Sequence, residues 1–246
     1  MTDWATDIDA PLFHRLVDGA AAISKECWLI PTNTALRCRC LNLSNTVYGN
    51  IIINATVEGE PAIIPIDVGK ISKTVPTAGT VKVKHTDGII STSVGKSRAR
   101  FYDFAPSAVR EAPGNLDRTL PNIVTDIPSK EFHDAVSAVI NYCNDIAGAF
   151  YKVKLTVADV LTISDVEDNI CIDIECDIQC PSGYIKVPNG YIKVSSLYMQ
   201  PISQYIKKYT KQFGLQMHTP EHPLILTYSD DIGSFYTLIA PVVDEY

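Results

Sequence analysis

Phe235-Tyr236-Thr237-Leu238-Ile239-Ala240-Pro241, near the C-terminus, repeats with one residue added the stretch Phe101-Tyr102-Asp103-Phe104-Ala105-Pro106 that closes the first half of the chain. Working outward from these two stretches, the halves agree in the order of their elements. Each reads as helix, strands, helix, strands, and each ends in an aromatic strand followed by Ala-Pro. A parallel order of elements points to internal duplication. Between the halves, residues 110–121 contain Ala-Pro-Gly-Asn and show no apolar period, so they read as an extended connector.

Four helices are predicted. In residues 10–24, Leu12, Phe13, Leu16, Val17 and Ala20 recur at helical spacing, with Pro11 tolerated in the first turn. Residues 67–75 form a short second helix that Pro76 stops. The third opens at Ser129, an N-cap after Pro128. Its apolar stripe is Phe132, Ala135, Val136, Val139, Ile140, Cys143 and Ile146, and Gly148 follows its end. The fourth spans 201–213, with Pro201 in its first turn and Ile202, Tyr205, Ile206 and Tyr209 as its stripe. The remaining apolar runs are short strands: 47–57, 81–84, 89–94, 98–104, 152–157, 160–163, 170–178, 184–187, 191–194, 223–228 and 234–239. Asp87-Gly88 is a two-residue hairpin turn. In 170–178 the alternation is cleanest, with Ile170, Ile172, Ile174, Cys176 and Ile178 on one face and Asp173, Glu175 and Asp177 on the other.

Composition agrees with a sheet-rich globular chain. The 246 residues suffice for one large domain or two ordinary ones. Ile and Val number 48 against 15 Leu, and β-branched side chains suit a pleated surface better than a helix. No apolar run approaches the ~20 residues needed to span a bilayer. The polar, acidic start Met1-Thr2-Asp3 does not read as a secretory signal, so the seven cysteines are expected to be reduced thiols of an intracellular protein. A net charge of −7 disfavours a protein that coats nucleic acid all over, but not one that meets DNA with a single face.

No catalytic signature is present: neither a nucleophile elbow nor a glycine-rich phosphate loop before a helix. The chain is therefore expected not to be an enzyme and to carry no cofactor and no metal. His218 and His222 are four apart, but Pro220 keeps them off a common helix face. Cys38-Arg39-Cys40 places two thiols on one strand face, which reads as core packing. Asp173, Glu175 and Asp177 read as a solvated or partner-facing strand. The basic residues are more telling: Lys207, Lys208 and Lys211 fall on the fourth helix, Lys70 and Lys73 on the second and Arg15 on the first. Cations gathered on helices of an acidic chain suggest a face for an anion, with a solvated helix face as the competing reading.

Several stretches resemble the proliferating cell nuclear antigen (PCNA) family of sliding clamps. They are Glu26-Cys27-Trp28 after the first helix, Ile71-Ser72-Lys73 with Ala78-Gly79, and Pro128-Ser129 with Glu131-Phe132 at the third helix. Most specific is His222-Pro223-Leu224-Ile225-Leu226 with Tyr228, Gly233, Leu238-Ile239-Ala240-Pro241 and an acidic tail. The resemblance implies an α+β DNA-clamp fold: two similar domains, 1–109 and 122–246, each with two helices packed on antiparallel sheets, joined by the connector 110–121. Three subunits would close head to tail into a ring, with helices lining the hole. The implied function is a processivity factor that encircles duplex DNA without reading its sequence, and that tethers polymerase, clamp loader and repair enzymes through short peptides. The compartment would be cytoplasmic in an archaeon and nuclear in a eukaryote.

The same resemblance assigns residues. Arg15, Lys70, Lys73, Lys130, Lys207, Lys208 and Lys211 would face DNA. Leu41, Leu116, Leu120, Pro223, Leu238, Ala240 and Pro241 would form the pocket for partner peptides. The subunit contact would pair strand 98–104, through Arg98, Arg100 and Tyr102, with strand 170–178 of a neighbour, through Ile170, Asp173, Glu175 and Asp177. Some positions depart from the family. Ala20 stands at a channel lysine, Pro76 where a further lysine is common, and Asp134 and Ser137 at arginines of eukaryotic clamps. These departures keep a second reading open: a clamp-fold scaffold, or one subunit of a mixed ring, that does not ride DNA.

Overall fold

A computed structural model of the chain describes residues 4–113, 116, 120, 122–147, 152–157, 160–164, 175–178 and 190–242. The chain divides into two units: Met1–Gly114 with Ser229–Tyr236, and Asn115–Tyr228 with Thr237–Tyr246.

In the first unit, β1 (Trp4–Asp9) runs directly into α1 (Ala10–Ala21), followed by β2 (Glu26–Thr32), β3 (Ala35–Leu41), β4 (Val47–Asn54), the short β5 (Glu58–Gly59) and β6 (Ile64–Asp67). Then come α2 (Val68–Thr74), β7 (Thr80–Thr86), β8 (Ile89–Val94) and β9 (Ser97–Tyr102). All pairing is antiparallel. One sheet has the order β5-β1-β7-β8-β9, and the other runs β6-β2-β3-β4. The edge of β4 is taken by the strand that starts at Gly233, where Asn54 donates its N–H to the Ile232 carbonyl at 2.9 Å and its Nδ2 to the Asp231 carbonyl at 2.8 Å.

The second unit repeats this plan. Its elements are β10 (Asn122–Pro128), α3 (Ser129–Ala147), β11 (Lys152–Val157), β12 (Leu161–Ser164), β13 (Glu175–Ile178) and β14 (Gly190–Ser195), then α4 (Ser196–Tyr209), β15 (Gln212–Met217), β16 (Leu224–Asp230) and β17 (Gly233–Ile239), of which the end of β16 and the start of β17 belong to the first unit. Here β10 pairs β15 as β1 pairs β7, and β15 pairs β16 as β7 pairs β8. Likewise β11 pairs β14 as β2 pairs β6, and the order β13-β12-β11-β14 mirrors β4-β3-β2-β6. The duplication read from two short aromatic stretches is thus written in the hydrogen-bond ladders, and those stretches begin on the equivalent strands β9 and β17 and run past their ends.

Each helix pair covers one face of its unit's second sheet. α1 packs on β3 and β4 and against α2; α3 packs on β12 and β13 and against α4. The predicted stripes account for this. Phe13, Leu16, Val17 and Ala20 are buried, as are Phe132, Ala135, Val136, Val139 and Ile140, and Ile202, Tyr205 and Ile206. Cys27, Cys38 and Cys40 lie in the first unit's core. Burial, then the neighbouring thiol of Cys38, pushes the Cys27 and Cys40 thiols well up from their ordinary range, so they remain protonated and inert.

Some expectations change. α4 starts at Ser196, five residues before Pro201, and Pro201 lies inside it. Its ring leaves the Leu197 carbonyl without a helical donor, a loss limited by the exposure of Leu197. The helix ends at Tyr209, so Lys211 sits beyond it, before β15. The sequence pattern does not mark β1, β2, β5, β6, β10 or β15 as strands, and marks β3 only through the spacing of Cys38 and Cys40. Pro31 interrupts the β pattern of β2, and β10 bulges between Val124 and Ile127, where Asp126 has φ 58°. Asp87 and Gly88 take φ 51° and 72°, as the hairpin turn requires. The predicted strand at 184–187, and residues Ile170 and Asp173, lie outside the described residues.

Candidate functional site

The cations of the second unit sit on and beside the α3–α4 pair. Lys130 is exposed in the first turn of α3, and Lys207, Lys208 and Lys211 are exposed at the end of α4 and just past it. They are not equivalent. Lys207 Nζ contacts Asp134 Oδ1 of α3 at 2.8 Å. That hydrogen bond, ahead of the charges of Lys207 and Lys130, holds the Asp134 carboxyl below its usual range. Lys208 Nζ lies 4.9 Å from the Tyr209 ring centroid, a cation–π distance.

Behind this surface is a polar seam. Ser203 Oγ donates to the Gln200 carbonyl at 2.9 Å and lies 3.0 Å from His133 Nδ1. With its proton committed to Gln200, Ser203 accepts from Nδ1–H. The neutral tautomer follows, and Ser137 Oγ, 3.4 Å from Nε2, completes it. Desolvation first, and then the charge of Lys207, lower the His133 pKa.

In the first unit, Lys70 and Lys73 are exposed on α2, and Lys70 Nζ lies 3.2 Å from Asp67 Oδ2 at that helix's N-cap. Arg15 is different. Its side chain is 3 % exposed, and Nη2 meets Asp230 Oδ2 at 2.8 Å. The other oxygen of Asp230 accepts the N–H groups of Ile232 and Gly233, each at 3.1 Å. Arg15 therefore ties α1 to the turn at residues 230–233. Its guanidinium is spent on structure and does not face an anion in solvent, so it leaves the DNA-facing set.

Both strands assigned to the subunit contact lie at sheet edges. β9 is the last strand of its sheet; Arg98, Arg100 and Tyr102 point to one exposed side, with Tyr102 79 % exposed. β13 ends the other unit's sheet among the described residues. Its Asp177 is exposed and accepts from Thr162 Oγ1 at 2.7 Å, and its Glu175 stands opposite Ser164.

The residues assigned to a peptide pocket divide between the units. Leu41 ends β3 in the first. In the second, Leu116, Pro223, Leu238, Ala240 and Pro241 are half-buried, and Leu120 is buried with its N–H donated to Gln216 Oε1 at 3.0 Å. Sequence reasoning had no signal for Asp230 as the anchor of Arg15, nor for the Asp134–Lys207 pair, since each joins residues distant in the chain.

Duplicated units, each with a helix pair on one face of an antiparallel sheet, make up the fold seen in solved structures of PCNA. Solved structures share it end to end at low sequence identity. PCNA of A. fulgidus, solved with the C-terminal region of FEN-1, superposes with a TM-score of 0.79 at 16 % identity, covering all of both chains. PCNA of Entamoeba histolytica gives 0.77 at 13 %, over 99 % of this chain and all of that one. PCNA of Thermococcus kodakaraensis gives 0.76 at 14 %, over 97 % and 100 %. No family model matches the sequence, and no curated protein does. Among the described residues no helix is long and apolar enough to cross a membrane.

Proposed function

We propose that this protein is a DNA sliding clamp: a ring of three copies that encircles duplex DNA inside the cell and tethers replication and repair enzymes through short peptides, without catalysis of its own. The domains would be 1–109 and 122–246, with 110–121 between them. The observation that carries the reading is the fold, shared over the full length with PCNA structures.

The pairing pattern supports the assembly. By the duplication, β13 corresponds to β4 and β9 to β17. The edge of β4 is covered by β17, whereas β9 and β13 both end their sheets among the described residues. A second copy's β9 laid on β13 would repeat between chains what β17 does for β4. Such a head-to-tail junction closes into a ring when its rotation permits. Arg98 and Arg100 would then meet the acidic side of β13.

DNA would be met by Lys70, Lys73, Lys130, Lys207, Lys208 and Lys211, with no base readout, since phosphate contacts carry no sequence information. The partner peptide would dock on Leu116, Pro223, Leu238, Ala240 and Pro241 over the buried Leu120. One observation favours a second reading, a clamp-fold scaffold or mixed-ring subunit that leaves DNA alone: Asp134 neutralises Lys207, and Arg15 is withdrawn into the fold. Light scattering for the trimer, with retention on closed circular but not linear DNA, tests the first reading. A trimer that both DNA forms shed equally would select the second.

A further inference from the structure

The face of the β6-β2-β3-β4 sheet turned away from α1 and α2 carries a cleft of about 540 Å³, a volume in the range of small-ligand sites. Its floor is Trp28 and Ile30 of β2 with Arg39 of β3, and its sides are Ile63 and the strap at 106–112. The strap is tied down by the floor itself, because Trp28 Nε1–H donates to the Arg110 carbonyl at 2.9 Å. Apolar groups dominate the lining, and Ile63 stands 62 % exposed at its side.

The polar groups point to the occupant. Arg39 Nε is shielded from solvent and has no hydrogen-bond partner. Asn50 stands opposite Arg39 in the β3–β4 register, and its Oδ1 is in the same condition. A shielded donor and a shielded acceptor, each costly to leave unmade, thus stand side by side. Of the two, Arg39 lines the cleft, and a carboxylate supplies both an acceptor and the opposite charge for its guanidinium. Arg37, two residues along β3 and on the same side, adds positive charge, whereas Glu111 on the strap disfavours a run of acids.

We propose that this cleft binds a linear segment of a partner protein that carries an aromatic or large aliphatic side chain next to one carboxylate. The side chain fills the space between Trp28, Ile30 and Ile63, and the carboxylate pairs with the guanidinium of Arg39. The site lies on the sheet face opposite the helices, so it does not depend on the proposed DNA contacts, and its residues are not those of the proposed peptide pocket.

The test uses the full ¹⁵N-labelled chain and follows its indole N–H signals by NMR. There are two tryptophans, and Trp28→Phe assigns them. The probe is acetyl-Leu-Phe-Asp-amide, compared with acetyl-Leu-Phe-Asn-amide and with hexathymidylate. The Trp28 signal should shift saturably with the Asp peptide while that of Trp4 stays in place. The Asn peptide should bind about tenfold more weakly, as loss of a charge-assisted hydrogen bond implies. Arg39→Gln should abolish the difference between the two peptides. Ile63→Glu, at an exposed position where folding is not at stake, should weaken binding of the Asp peptide. An unmoved Trp28 signal at millimolar peptide would overturn the proposal, as would equal affinity for the two peptides. Tighter binding of hexathymidylate than of either peptide would overturn it in favour of a nucleic-acid site.

Discussion

At the scale of single residues, charge pairs decide what each cation can do. Arg15 carries a full charge in the sequence, yet it is buried against Asp230. Removing one partner of a buried pair strands the other, although here Asp230 remains partly exposed and water can recover some of the loss. Arg15→Ala should lower stability by roughly 1–3 kcal/mol, read as a lower denaturant midpoint, and leave DNA retention at a given folded fraction unchanged. Asp134 is the reverse case, because its carboxylate occupies Lys207. Asp134→Ala should release that lysine, and each further phosphate neutralised steepens log affinity against log salt by about 0.9. The slope for circular DNA should therefore steepen, and Lys207→Ala with Lys208→Ala and Lys211→Ala should flatten it. A slope that ignores both changes would remove these lysines from the DNA face. His133 predicts a pH dependence. Its folded pKa is lowered, so the unfolded chain takes up the proton first, at its ordinary value near 6.5. Stability should be intact above that value and fall as pH drops through it toward the lower folded value. Between pH 7 and 5.5, His133→Gln should lose less in melting temperature than the parent protein.

At the scale of elements, close approach and edge chemistry dominate. A Cβ at Gly233 would strike the backbone carbonyl of Ile52, where neither atom belongs to a flexible side chain. Gly233→Ala should therefore push the start of β17 off β4 and destabilise the protein by about 2 kcal/mol or more, seen as early amide exchange at Asn54. β9 offers a different test. Opposite charges facing each other across strands contribute about 0.2–1 kcal/mol each, so Arg98→Glu with Arg100→Glu should move the assembly toward monomer in sedimentation at micromolar concentration. An unchanged trimer would exclude β9 from the contact. The helices were legible because period and stop signals act locally: the stripe of α3 from Phe132 to Ile140 and the turn at Asp87-Gly88 stand as read. β10 and β15 were not: a bulge breaks the alternation of β10, and the start of β15 lies within the helix read to residue 213, although Phe213, Leu215 and Met217 alternate inward. The start of α4 was misread for a related reason: Pro201 usually marks a first turn, but here packing of Met199 and Ser196 extends the helix in front of it.

At the scale of the whole molecule, the ring makes a quantitative demand. With few phosphate contacts available, direct affinity for DNA should be weak at physiological salt and its salt slope shallow; closure, not contact energy, would then hold the protein on a circular template. Cutting that template once should release it, whereas a protein held by contacts alone would stay.

The amino-acid sequence by itself determined the helix stripes, the duplicated order of elements, the thiol-bearing core strand and the class of fold. All of these rest on periodicity and turn chemistry within a few residues of chain. Tertiary structure alone decided that Lys207 is held by Asp134, where Arg15 spends its charge, and that Trp28, Arg39 and the 106–112 strap enclose a cleft. Those outcomes depend on partners tens to hundreds of residues away: Asp134 for Lys207, Asp230 for Arg15, Arg110 for Trp28. An ion pair or a buried hydrogen bond is set by distance in space, and no spacing along the chain encodes it.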